Sequence, residues 1–207
     1  VDRANKNGRT PLYIAYKKGH VDAVRLLLEK GAADKEGRVQ LLIACQEGHV
    51  DKVRLLLDKG AKVDRATNDG YTPLYVACEN GHVDSAQLLL DNSAEVDRAA
   101  EGGSTPLFGA CKNGHVDAAR LLLDNGAEVD RAEEDGFTPL INACLNGHVD
   151  AARLLLEKGA EVDRANKNGR TPLYIAYKKG HVDAVRLLLE KGAADKEGRV
   201  QLLIACQ

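Results

Sequence analysis

Cys-x-x-x-His occurs four times along the chain, as Cys45/His49, Cys78/His82, Cys111/His115 and Cys144/His148. On an unbroken helix this i,i+4 spacing puts a thiolate and an imidazole on one face, as a metal pair or a Cys–His nucleophilic dyad requires. Three features of the same stretches oppose both chemistries. A glycine precedes each histidine, so a helix that carries the cysteine ends before the histidine is reached. His20 and His181 keep the position while Tyr16 and Tyr177 stand where the cysteine would be, so the histidine serves a purpose that needs no thiol. No further ligands cluster nearby, whereas structural zinc takes four. These histidines are therefore assigned to ordering a turn between two helices, and no metal or cofactor is expected.

The five cysteines, Cys45, Cys78, Cys111, Cys144 and Cys206, share one repeat position. Equivalent positions on stacked helices lie about 8–10 Å apart, beyond the roughly 7 Å between Cα atoms that a disulfide tolerates. Free, mostly buried thiols follow, and they lean towards a reducing, intracellular compartment without fixing one, since burial protects thiols anywhere. Asp64, Asp97, Asp130 and Asp163 recur in Val-Asp-Arg-Ala beside Arg65, Arg98, Arg131 and Arg164. This reads as a solvated ladder of opposite charges pairing between neighbouring loops. No G-x-S-x-G, P-loop, H-E-x-x-H or dinucleotide fingerprint is present, and no catalytic residue is assigned.

Bulk composition narrows the classes further. The 207 residues are 44% apolar and 29% charged, enough for a packed core. Lys+Arg number 29 against 31 Asp+Glu, a formal net charge of −2. That balance argues against a nucleic-acid or anionic-membrane binder, which needs a sustained basic surface. Apolar runs such as Leu-Leu-Ile-Ala-Cys at 41–45 are far too short to span a bilayer. No targeting leader is recognisable, and the first residue is Val1 rather than Met. Met and Trp are absent and aromatics make up 4%, a composition dominated by one repeated unit.

That unit positions every residue named so far. Gly-His-Val-Asp recurs at His20, His49, His82, His115, His148 and His181, with spacings of 29 and then four times 33. All five prolines, Pro11, Pro73, Pro106, Pro139 and Pro172, sit in Thr-Pro-Leu. Thr10 can cap a helix, and Pro11 suits its first turn because the missing N–H would be unpaired there anyway. Leu12, Ala15 and Tyr16 give that helix one apolar face, and it stops near Gly19. A second helix carries Val21, Val24, Leu27 and Leu28 and ends at Lys30-Gly31, a cationic last turn followed by a glycine cap. Segments such as VDRATNDGY at 63–71 have hairpin-turn chemistry. Helices this short are marginal alone, so each pair must stack on its neighbours as an all-α repeat solenoid.

The pattern G-x-T-P-L-x-x-A-x-x-x-G-H-x-x-x-x-x-L-L-L-x-x-G-A resembles the ankyrin repeat over the whole chain. The resemblance implies a stack of helix-turn-helix pairs with projecting β-hairpin loops. It also implies a non-catalytic role in protein binding, through a concave face of hairpin tips and first helices. The repeats read as 1–32, a shortened 33–62, then 63–95, 96–128, 129–161 and 162–193, with a partial seventh at 194–207.

Departures from the family pattern are informative. Its TPLH histidine is replaced by Tyr13, Tyr75, Phe108, Ile141 and Tyr174, and its C-cap glycine by Ser93 in one repeat. Repeat two has lost about four hairpin residues and carries Val39-Gln40 where Thr-Pro should stand. A stunted finger and a local change in curvature are expected there, read as a tolerated deletion or as a notch for a partner.

If the family geometry holds, the variable positions spell out the binding face. Repeat one contributes Lys6, Arg9, Lys17 and Lys18, and repeat six the matching Lys167, Arg170, Lys178 and Lys179. Repeat three offers Asp69, Tyr71 and Glu79, and repeat five Glu133, Glu134, Asp135, Phe137, Asn142 and Leu145. The face thus runs from basic through acidic to basic. Tyr71, Phe137 and Leu145 are either interface anchors or braces between neighbouring hairpins.

Residues 1–46 return letter for letter at 162–207, a superunit of five repeats and 161 residues. Neighbouring repeats differ at many positions, so this identity marks a recent duplication, a built concatemer or one period laid along a continuous fibre. Neither end of the sequence is expected to be a true terminus. Two functions follow: a scaffold for another protein, or a segment of a long, uncapped solenoid whose copies join head to tail as a filament. No nucleic-acid, membrane or small-molecule partner is expected.

Overall fold

Five Thr-Pro dipeptides start five helices by the same device. The threonine backbone is extended and its Oγ1 accepts the N–H of the residue three positions on, as at Thr72–Tyr75 (3.1 Å) and Thr138–Ile141 (3.2 Å). Proline follows at the first helical position, where no donor is lost. The computed structural model describes residues 3, 5, 10–18, 20–32 and 38–195, with only the backbone of Lys17, Val21 and Arg25. The shortened hairpin at 33–37 and the partial repeat from residue 196 onward lie outside the described residues.

Twelve α-helices are present among the described residues, in six antiparallel pairs. They are α1 (Pro11–Lys17), α2 (Val21–Glu29), α3 (Arg38–Glu47), α4 (Val50–Asp58), α5 (Pro73–Glu79) and α6 (Val83–Asp91). Then follow α7 (Pro106–Lys112), α8 (Val116–Asp124), α9 (Pro139–Leu145), α10 (Val149–Glu157), α11 (Pro172–Lys179) and α12 (Val182–Glu190). First helices pack in one row, α3 on α5, α7, α9 and α11, and second helices in another, α4 on α6, α8, α10 and α12. Leu74, Ala77, Cys78, Leu89, Leu107, Ala110, Leu140 and Ala152 are fully buried in the continuous core between the rows. Small residues at the helix contacts let the rows approach closely. The connecting hairpins close through one backbone bond each, for example Thr67 N–H to Tyr71 C=O at 2.9 Å and Glu133 N–H to Phe137 C=O at 3.1 Å. No residue among those described adopts a strand.

The first junction departs from this regularity. Leu12, Ala15, Val24, Ala32, Val39 and Ile43 form a separate small core, and α2 and α4 make no contact comparable to the later second-helix pairs. Leu154 and Leu187 are each 2% exposed under the preceding second helix, whereas the equivalent Leu55 is 51% exposed. Lys52 occupies the site that is Ser85, Ala118, Ala151 or Ala184 in repeats three to six, all buried, and exposed Ala23 in repeat one. A lysine there is compatible with an uncovered helix and with nothing else.

Second helices end on a residue with positive φ whose successor donates back to the last turn. Glycine holds that place at Gly60, Gly126, Gly159 and Gly192 (φ 87 to 89°), and Ser93 (φ 67°) is the one non-glycine with positive φ among the described residues. A Cβ at those four glycines would meet nothing within 4 Å, so only backbone strain opposes a side chain. Ser93→Gly should therefore stabilise the chain by about 0.5–1 kcal/mol in urea unfolding. Leu154→Ala should cost about 2–5 kcal/mol, and Leu55→Ala under about 1 kcal/mol, if the first junction is as open as it stands.

Candidate protein-binding face

The Cys-x-x-x-His motif is split between two tasks. Cys45, Cys78, Cys111 and Cys144 are fully buried and unpaired on the core side of the first helices. Burial pushes the Cys45 and Cys144 thiols from near 9 up to about 12, and it raises Cys78 and Cys111 as well. A thiol held protonated is a poor nucleophile and a poor metal ligand. The histidines point the other way. His82, His148 and His181 place Nε2 at 3.0, 3.0 and 3.1 Å from the C=O of Gln46, Lys112 and Leu145, each thirty-six residues earlier. They bind the first helix of the preceding repeat, so the turn-ordering role read from sequence is in fact a bond between repeats.

That bond explains the glycine of Gly-His-Val-Asp. Gly81, Gly114 and Gly147 have φ of 75°, and a Cβ on each would fall 2.6–2.8 Å from the ring of the next repeat's histidine. Among the described residues no group of three His, Cys, Asp or Glu side chains stands close enough to hold a metal ion.

The Val-Asp-Arg-Ala ladder also resolves differently from the expected pairing of opposite charges. Asp97 and Asp130 accept the backbone N–H of Glu128 and Glu161, thirty-one residues on, both at 2.9 Å, and so tie the start of one hairpin to the segment that leads into the next. Asp64 and Asp163 do the same to Glu95 and Ala194 at longer range. The arginines turn back to a glutamate three residues earlier, Arg98 to Glu95 at 3.2 Å and Arg164 to Glu161 at 3.6 Å. An aspartate is short enough to bridge to the adjacent backbone, and an arginine is long enough to reach i−3.

Successive hairpins are linked at their tips. Glu101 N–H donates to Asp69 C=O (2.9 Å), Glu134 to Gly102 (2.8 Å) and Lys167 to Asp135 (3.1 Å). This chain of bonds aligns the fingers beside the first helices and makes one face of them. Two grooves open on it. The first, about 330 Å³, is lined by Tyr13, Tyr16, Gln46, Thr67, Asp69, Tyr71, Val76, Glu79 and Asn80. The second, about 260 Å³, is lined by Phe137, Leu145, Arg170, Tyr174, Ile175, Lys178 and Lys179.

Asp69, Tyr71 and Glu79 thus meet in the first groove, and Phe137, Leu145, Arg170, Lys178 and Lys179 in the second. Glu134, Asp135 and Lys167 are exposed at the hairpin tips between them, and Lys18 is exposed on repeat one. Glu133 is half-buried, accepts a hydrogen bond from Ser104 Oγ at 3.3 Å, and has its carboxyl raised by desolvation. Asn142 does not reach the surface. It is 5% exposed, and its Nδ2 has no partner. Lys6, Arg9 and the side chain of Lys17 lie outside the described residues.

Tyr13, Tyr16, Val76, Tyr174 and Ile175 line the grooves without having been singled out. For Tyr13 and Tyr174 the signal was present, since each stands where the family pattern has histidine.

The family pattern described as ankyrin repeats (3 copies) matches residues 1–67, 32–100, 64–133, 97–166 and 130–200. The chain belongs to the ankyrin-repeat family. Ankyrin repeats are in general protein–protein interaction modules and typically non-catalytic. No curated protein sequence matches this ankyrin chain significantly. No helix among the described residues is long and apolar enough to cross a membrane.

The buried thiols of this ankyrin stack give a direct test. Disulfide-exchange reagents at pH 8 should leave Cys45, Cys78, Cys111 and Cys144 unmodified until denaturant is added. The folded thiols titrate above their unfolded value near 9, so the native state retains protons the unfolded chain has lost. Stability should therefore be intact below pH 9 and fall progressively from pH 9 towards 12, and cysteine-to-alanine substitution should flatten that decline.

Proposed function

We propose that this ankyrin chain is a non-catalytic scaffold that binds another protein through the concave face of hairpin tips and first helices. The observation that carries the reading is the gathering of Phe137, Leu145, Arg170, Lys178 and Lys179, from two repeats, into one groove beside exposed Tyr174 and buried Ile175. An apolar floor with a cationic rim suits an acidic segment bearing an aromatic or aliphatic anchor, since anchors seated in pockets supply most interface energy. Lys178 lies 5.8 Å from the centroid of the Tyr174 ring and holds that rim in place.

The test uses a photo-crosslinking amino acid in place of Leu145, with Arg153 on α10 as the control position. In extracts of the source cells, position 145 should give discrete adducts that disappear in the Phe137→Ser/Lys178→Glu double variant. Adducts from position 153 alone, or adducts indifferent to the double variant, would overturn the reading.

A second reading rests on the exact return of the superunit. Residues 162–193 repeat 1–32 and stack on repeat five through the same helix rows as the other repeats, so one superunit follows another without a break in packing. On this reading copies of the chain assemble head to tail as a filament. Light scattering and negative-stain microscopy of the purified chain test it, and discrete monomers at high concentration would sink it.

A further inference from the structure

The first groove lies between repeats one and three, beside a departure from the regular bonding of the hairpin tips. In the later repeats, tip N–H groups of Glu101, Glu134 and Lys167 each find a carbonyl on the preceding finger. Their counterpart in repeat three, the Asn68 N–H, donates instead to the Tyr13 hydroxyl at 3.1 Å. A side chain of repeat one thus satisfies a donor of repeat three, and the groove lies beside that bond.

What lines that opening has one chemical character. Tyr16 and Tyr71, each half-buried, present phenol rings, buried Tyr13 backs them, and Tyr71 leans on Tyr75 with ring centroids 4.6 Å apart. The Tyr75 hydroxyl donates to Glu79 Oε1 at 3.4 Å, which fixes that carboxylate at the groove's edge. Glu79 and Asp69 are the formal charges among the described lining residues, and no Lys, Arg or His is among them. Tyr16 and Tyr75 are both raised, first by burial and further by the negative field of Glu79. A π-face with a carboxylate beside it attracts a cation and repels an anion. The chain uses the same attraction internally, where the Arg38 guanidinium sits over the Tyr13 ring at 5.1 Å.

We propose that the groove between repeats one and three seats the lysine or arginine side chain of a basic segment in the partner protein. The proposal rests on the concave face being the protein-binding surface and adds a second seat to it, opposite in charge to the Phe137 groove. A partner spanning both grooves would carry basic and acidic stretches in turn, which fixes its direction along the stack.

The test is a titration of the ¹⁵N-labelled full chain with capped Gly-Ser peptides bearing one central Arg, Lys or Gln. Backbone amides of Tyr71, Val76, Glu79 and Asn80 should shift with the Arg or the Lys peptide and stay still with Gln. Glu79→Gln and Tyr71→Leu should each weaken binding about tenfold, while Asp117→Asn, exposed on α8, leaves it unchanged. Melting curves check that the variants fold, and the Glu79→Gln change at a half-buried edge keeps the test open if Tyr71→Leu does not. Equal shifts with the Gln peptide, shifts centred on 133–137, or indifference to Glu79→Gln would overturn the proposal. So would peptide-free shifts in the groove that vary with protein concentration, since the occupant is then a second copy of the chain. No groove shifts with adducts at position 145 retained would sink this inference alone, whereas losing both would sink the concave-face reading too.

Discussion

Helices of seven to ten residues do not persist alone in water, because the cost of nucleation exceeds what so few hydrogen bonds return. Burial against the next pair is therefore the condition on which everything else in this chain depends. Each pair offers a stripe of Leu, Ala and Cys to both neighbours, and the bonds that hold the pairs in register also cross between repeats. The histidine Nε2 reaches back to a first-helix carbonyl, the hairpin aspartate reaches forward to a backbone N–H, and tip amides join finger to finger. All three use the backbone as partner, so the geometry survives while the surface letters vary. Surface ion pairs add little to this, since an exposed pair such as Lys158–Asp124 is worth well under about 1 kcal/mol.

That arrangement explains what the residues alone could reveal. Thr-Pro and Gly-His-Val-Asp are local signals, fixed by capping and turn chemistry within four residues, and they place the helices correctly. The histidine and aspartate roles were harder to see because their partners lie about one repeat away. A residue's neighbours in sequence say little about a carbonyl thirty-six positions earlier. The grooves follow the same division. Asp69, Tyr71, Glu79, Phe137, Leu145 and the lysines of repeat six were legible as variable letters on a known framework. Tyr13 was legible as a departure but not as a wall of a groove, because its use depends on Asn68, fifty-five residues on. Asn142 shows the converse, a variable letter that the packing buries.

The junction at repeat two departs from the regular pattern on both sides of the stack. On the hairpin side the Asn68 N–H donates to the Tyr13 hydroxyl beside the first groove. On the second-helix side the core divides, and Leu55 is half exposed where Leu88, Leu154 and Leu187 are buried. Lys52 records the same departure in the sequence, because a charged residue is tolerated only where no helix covers it.

The two grooves consequently differ in their supporting core as well as in charge. Around Phe137 and Tyr174 the helices belong to the continuous core, with α11 packed on α9 and α12. The tyrosine groove straddles the divided junction, and its shape depends on how repeat one sits against the rest. In a quasi-one-dimensional stack, stability is approximately a sum of repeat and interface contributions, so a weak interface is felt locally and leaves the distant repeats intact. A cation bridging Tyr16 of repeat one to Tyr71 and Glu79 of repeat three would supply a contact across that junction. Binding at that groove and closure of the first junction would then be linked, each favouring the other to the same extent.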